Sequence, residues 1–154
     1  MLDFETLDVF PTSRVLSIGA VKFNENSILD EFYVTLSIRD NSEPWIEKLS
    51  ISKDTMQWWM KQSPEVLKSA LAGGVSYRDG FKQFLDWYGN YSIPIWSNSA
   101  AFDIAISEHH CHQMKETVPW KYWDQRCYRT IFKLLGDTVR LPERKDAHNA
   151  LEDA

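Results

Sequence analysis

Cysteine is nearly absent from these 154 residues: Cys111 and Cys127 are the whole complement. Neither sits in a CxxC or Cys/His pair with finger spacing, which excludes a disulfide framework and a zinc finger and points to reduced thiols in a cytoplasmic protein. Long apolar runs are lacking too. No window approaches about 18 apolar residues, and the opening MLDFETLD has no basic segment leading into an apolar one. Neither a membrane span nor an export signal is therefore expected. Glycine and proline are scarce, six of each, which sets the chain apart from disordered and fibrous classes. No repeat or linker is visible, and the length suits a single domain, 1–154, at about 100 to 200 residues per core.

Positive charge is also in short supply. The net charge of −5 argues at first against a polyanionic partner. Its distribution is uneven, however. Residues 121 to 145 carry Lys121, Arg126, Arg129, Lys133, Arg140, Arg144 and Lys145 against Asp124, Asp137 and Glu143, so this stretch is +4 and the remainder −9. A solvated helix face would account for such a strip as readily as a phosphate-binding one.

What is abundant is aromatic: seven Trp, six Tyr and eight Phe. Such rings build cores, and they are also surfaces on which unstacked bases rest. Composition does not separate the two uses.

Periodicity outlines the fold. Residues 2 to 7 read as a strand, and 15 to 24 and 28 to 37 as two more joined at Asn24-Glu25-Asn26, an antiparallel meander. Residues 38 to 53 are polar and contain Pro44, so a loop is expected there. Ser52 or Asp54 caps a helix through Trp58 and Trp59 to Lys61, and Ser63-Pro64 opens another that stops at Gly73-Gly74. From Tyr77 to Tyr88 the apolar residues Tyr77, Phe81, Phe84, Leu85 and Tyr88 follow a helical repeat. A short strand over 93 to 96, helices over 102 to 113 and 128 to 135, and one beginning near Asp146 complete the pattern. A meander followed by alternating strands and helices predicts a mixed sheet flanked by helices, an α/β layer fold.

Carboxylates carry the chemistry. Asp3 and Glu5, two apart on a strand, project from one face of the sheet. Inside the apolar run Met1, Leu2, Phe4, Leu7 such a pair is costly unless a cation lies between its members, and hard Mg²⁺ or Mn²⁺ prefers carboxylate oxygens. Taken alone, the triplet reads more plainly as an edge strand facing water. Asp103 stands in a first helical turn beyond the end of a strand, where ligand sites gather in open α/β sheets, although an acid there also suits the helix dipole.

His148 has a side chain suited to proton removal near neutral pH. On one continuous helix it lies about 140° from Asp153 and on the same face as Glu152, so periodicity does not choose between these acids. A histidine in the loop before the helix would free Asp153 to face the site. The run His109-His110-Cys111-His112 offers two ligands at helical spacing, but no second pair elsewhere matches them, and solvent-facing histidines are the expectation.

Together, Asp3-x-Glu5, the segment Asn98-Ser99-Ala100-Ala101-Phe102-Asp103 and His148-x4-Asp153 resemble the DEDDh 3′→5′ exonucleases of the RNase T and proofreading-subunit superfamily, over essentially the whole chain. Leu2 to Leu7, Ser17-Ile18-Gly19-Ala20-Val21, Thr55-x-x-Trp58-Trp59-x-x-Gln62, Asp124-x-Arg126 and Arg129-Thr130 look like its compact bacterial and phage branch, DexA-type and exonuclease VIII-like.

The resemblance implies an RNase H-like fold and two Mg²⁺ or Mn²⁺ ions. Asp3 would bridge both, Glu5 and Asp153 would complete one shell, and Asp103 would serve the other. His148 would take a proton from water, releasing nucleoside 5′-monophosphates from the 3′ ends of single-stranded DNA or RNA. The Thr6 backbone would lie near the 3′-hydroxyl and Leu7 against the terminal base. Phe102 and Trp58 or Trp59 are candidates to stack on that base, and Arg126 belongs to the substrate-binding set. The basic strip would then lie beside an acidic site. Relatives often pair, so the resemblance allows a homodimer. Their last helix usually continues a turn beyond the position of Asp153, which leads to the expectation of a trimmed helix here.

Overall fold

The structure, a computed structural model, describes residues 1–89, 93–136 and 148–154. Five strands form one sheet: β1 (Leu2–Thr6), β2 (Val15–Phe23), β3 (Ile28–Thr35), β4 (Ile95–Ser97) and β5 (Gln125–Cys127), in the order β3-β2-β1-β4-β5. The first three pair antiparallel, while β4 and β5 join in parallel. The sheet is therefore the mixed, helix-flanked α/β architecture of RNase H-like proteins.

Local chemistry explains most elements. Asn24 Oδ1 accepts the N–H groups of Asn26 and Ser27 and closes the turn between β2 and β3. Helices α1 (Lys53–Trp59), α2 (Pro64–Leu71) and α3 (Tyr77–Tyr88) each start at a serine whose hydroxyl accepts a backbone N–H: Ser52, Ser63 and Ser76. Ser52 rather than Asp54 is thus the cap of α1.

On one face of the sheet α3 buries Tyr77, Phe81, Phe84 and Tyr88 against Phe4 and Phe32. Each such side chain contributes roughly 1.5 to 3 kcal/mol through removal from water. β2 is buried along seven successive residues, which reflects cover on both faces. β1 alternates instead, with Leu2, Phe4 and Thr6 buried and Asp3 and Glu5 half-buried.

Three expectations are corrected. The 38 to 53 segment is not merely polar loop, since a 3₁₀ turn at Ile46–Lys48 inserts Ile46 and Leu49 into the core. The helix expected from Phe102 begins as a π turn over Ala100–Ile104, continued by α4 (Ala105–Met114). Strand β5, preceded by a 3₁₀ turn at Tyr122–Asp124, was not foreseen, because three residues are too short to show a period.

Helix α5 spans Tyr128–Leu135, as read. The expected helix start at Asp146 lies outside the described residues, as do Asp137, Arg140, Glu143, Arg144 and Lys145. The helix that is described, α6, runs Ala150–Asp153 and is capped by the Asn149 side chain.

Candidate active site

Asp3 and Glu5 lie on the face of β1 that α6 covers, and the register explains how α6 comes so close. Asp3 pairs with Gly19 on β2. A Cβ at Gly19 would stand 2.1 Å from both the carbonyl carbon and the oxygen of Ala150. Only a residue without a side chain admits this approach.

The close packing of Ala150, itself fully buried, sets the direction of its neighbours. Asp153 turns inward and Glu152 stays exposed. The ambiguity between the two acids is thus decided by α6 resting on β2.

His148 precedes α6 with φ +73, a left-handed conformation that is uncommon outside glycine and asparagine. Its backbone N–H donates to Asp153 Oδ2 at 3.2 Å. Its ring meets Trp58 edge to face at 4.6 Å between centroids. Strained backbone of this kind persists where surrounding contacts over-determine it.

The two tryptophans divide their work. Trp59 is 1% exposed and its indole N–H donates to the Thr6 carbonyl at 2.8 Å, which clamps α1 to the end of β1. Trp58, about 100° round the same helix, remains 40% exposed and stands against His148.

Glu5, His148 and Asp153 each place one potential ligand atom within 4.8 Å of the others, a group that could hold a metal ion. Asp103 comes from the turn after β4. The π turn buries it and aims Oδ1 at the Phe4 N–H, 3.2 Å away. Turns of this type are frequent at functional sites.

Crowding of these acids shows in their proton affinities. Partial burial first, then the charges of Asp153 and Asp103, push Glu5 up to about 8. Burial pushes Asp103 up to about 7 in spite of backbone hydrogen bonds that favour its ionised form. A set of carboxylates that resist ionising together fits a hard divalent cation, whose charge reverses that penalty.

A cavity of about 200 Å³ opens beside the group, lined by Glu5, Ser17, Tyr33, Glu65, His148 and Asn149 among others. A larger one, about 360 Å³, lies at the opposite end of β1 around Met1, Trp87, Tyr88 and Ile95, and none of these carboxylates lines it.

The other candidates are placed as follows. Thr6 is buried and its hydroxyl donates to the Asp8 carbonyl at 2.7 Å. Leu7 is fully buried with Leu16, Trp59 and Ala70; the register skips Leu16 between the Glu5–Ser17 and Thr6–Val15 pairs, a bulge on β2 that turns Leu16 toward Leu7. Phe102 packs half-buried against the main core. Arg126 is spent on backbone, with Nη1 donating to the carbonyls of Trp123 and Gln125.

The histidine run is not uniformly solvent-facing. His110 is fully buried, stacks on Phe81 at 4.9 Å and contacts the Ser13 carbonyl at 3.0 Å through Nε2. Burial brings its pKa down to about 3, so it remains neutral. Gly19 is the positioning residue that periodicity missed. It stood in the motif Ser17 to Val21, but only the facing helix gives it a purpose.

Comparison with known proteins gives this arrangement a family. Residues 1–154 match the profile of the Rv2179c-like 3′-5′ exoribonuclease domain. The chain belongs to this family. An exodeoxyribonuclease of Enterobacteria phage T4 is 26% identical over 188 residues, which cover 99% of this chain and 82% of the phage protein. The Rv2179c-like domain is accordingly an exonuclease acting on nucleic acid. Among the described residues no helix is long and apolar enough to cross a membrane.

Proposed function

We propose that residues 1–154 form one metal-dependent exonuclease domain that removes nucleoside 5′-monophosphates from the 3′ ends of single strands or overhangs. Asp3, Glu5, Asp103 and Asp153 would hold two Mg²⁺ or Mn²⁺ ions, and His148 would act as general base. The observation that carries this reading is the convergence of Glu5, His148 and Asp153 within 4.8 Å, with buried Asp103 close enough to raise the pKa of Glu5.

Held by these four carboxylates, such ions would supply positive charge to meet the charge that develops on the phosphoryl group. The chain supplies the rest. The Gly19 contact brings α6 down on the sheet and holds Asp153 inward. Trp58 and the His148 N–H bond to Asp153 orient the imidazole, so that a ring nitrogen can take a proton from water beside Glu5. Proton removal of this kind contributes roughly 10²- to 10⁴-fold. Indole faces and the 121 to 145 strip would supply contacts to bases and phosphates.

The printed name of the family speaks of RNA and that of the phage relative of DNA, so both belong in the test. Single strands of each, labelled at the 5′ end, are incubated with Mg²⁺ or Mn²⁺. A ladder that shortens from the 3′ end is the expected outcome. Asp3→Ala is expected to slow it by roughly three orders of magnitude or more, with the circular dichroism of the fold retained. Binding without shortening would mark a non-catalytic relative, and turnover of free nucleotides alone a phosphohydrolase.

A further inference from the structure

Two aromatic rings stand in solvent on the turn that leads into β5. Tyr122 is 79% exposed and Trp123 56%, and their rings meet edge to face with centroids 4.7 Å apart. Neither belongs to a core cluster. The turn itself is firmly held. Trp120, just before it, is buried and its indole N–H donates to Glu108 at 3.1 Å. Arg126 Nη1 grips the Trp123 carbonyl at 2.6 Å from the other side. A rigid turn thus presents a pair of large rings to water, an arrangement that costs hydrophobic free energy and is typical of recognition surfaces.

The charges along the segment that carries the rings are mostly positive. Lys121 Nζ lies 5.2 Å from the centre of the Trp123 ring. Arg129 and Lys133 are exposed on α5, and among residues 121–136 Asp124 is the lone acid against Lys121, Arg126, Arg129 and Lys133. In a chain of net charge −5 this is a local cationic strip with π faces, complementary to a polyanion that carries bases.

Its position relates it to the carboxylates. Cys127 on β5 pairs with Ser97 on β4, and the Arg129 N–H donates to the carbonyl of Asn98, in the loop that leads to the turn bearing Asp103. The rings stand beyond the other, Gln125–Ile95 end of this pair, on the 3₁₀ turn before β5, so a nucleic-acid strand that reaches them from the carboxylates runs along the β4–β5 edge of the sheet.

We propose that Tyr122 and Trp123, flanked by Lys121 and Arg129, form a platform on which bases of a single strand stack, upstream of a 3′ end held among the carboxylates. The proposal rests on the exonuclease reading of that site. Stacking is tolerant of sequence because every base has a π face, so the platform would favour longer strands over short ones without selecting a sequence.

The test is a Tyr122→Ala/Trp123→Ala variant. Hydrolysis of a 12-nucleotide strand and of a dinucleotide is compared in Mn²⁺. Binding of a fluorescein-labelled 12-mer is followed separately by anisotropy in EDTA, without cleavage. The expected result is a rise of roughly 5- to 100-fold in the ratio of the KM for the 12-mer to that for the dinucleotide, a matching loss of 12-mer affinity, and an unchanged thermal midpoint.

An unchanged ratio with unchanged affinity overturns the platform. So does a variant that binds the 12-mer normally but sediments as a smaller species than the wild type, which would make the rings a contact between copies. A wild-type chain that cleaves nothing, yet binds the 12-mer through these two rings, would sink the exonuclease reading and leave the platform standing.

Discussion

The proposed site has two halves built on different principles. Asp3, Glu5 and Asp103 stand on the sheet and on the π turn beside it, where ladder hydrogen bonds and the Phe4 N–H hold the backbone and leave little freedom. His148 and Asp153 stand on and before a four-residue helix that has too few internal hydrogen bonds to persist alone. That helix is held by packing on Gly19 and by the ring of Trp58. The first half is rigid through local structure. The second is rigid only while a tertiary contact lasts, and perturbations of the two halves should therefore differ in kind.

The largest effect short of removing a ligand belongs to the histidine. His148→Ala is expected to lower kcat by roughly 10²- to 10⁴-fold with little change in KM, measured on a single strand in Mn²⁺. A loss equal in kcat and affinity would place His148 in binding instead.

Gly19→Ala is next. The added methyl cannot coexist with Ala150 at 2.1 Å, so α6 must shift, and displacement of about 1 Å costs on the order of 100-fold in rate. Tryptic cleavage near α6 should accelerate while the near-ultraviolet signal of the aromatic core is preserved. Unaltered activity would show that α6 does not position the site.

Trp58→Leu keeps an apolar side chain but removes the ring edge from His148. A reduction of roughly 2- to 10-fold in kcat/KM follows from the strength of such ring pairs. Trp59→Leu, by contrast, deletes a buried anchor and its bond to Thr6, so its main effect is expected on the thermal midpoint.

The smallest effect is a dependence on pH. Glu5 moves from 4.5 up to about 8 and Asp103 from 3.8 up to about 7, so the folded chain retains protons that the unfolded chain releases. The resulting stabilisation is complete below the unfolded values and is lost as pH rises through about 7 to 8. In chelator, thermal midpoints should fall between about pH 5 and about pH 8.5, less so for Glu5→Gln, and added Mg²⁺ or Mn²⁺ should restore stability by binding the folded state. Identical pH profiles for wild type and Glu5→Gln would contradict the assigned cause.

Much of this was legible in the residues. The meander, the span of α3 and the serine caps follow from alternation, a helical repeat and capping chemistry, all of which act over a few neighbouring positions. Asp3 and Glu5 were recognisable because a strand must place them on one face. Other features were not legible. Leu7 continued the apolar pattern of β1, but the residues that bury it in a second core cluster, Trp59 and Ala70 among them, lie far along the chain. His110 looked like one of a solvent-facing run until Phe81 and the Ser13 carbonyl closed around it.

By itself, then, the order of amino acids determined which segments become strands and helices and which residue types could hold a cation, since propensity, capping and side-chain period are local properties. The choice of Asp153 over Glu152, the left-handed backbone of His148 and the purpose of Gly19 were decided only when α6 met β2. Contacts between segments more than a hundred residues apart leave no period to read, because their geometry depends on how closely two surfaces can approach.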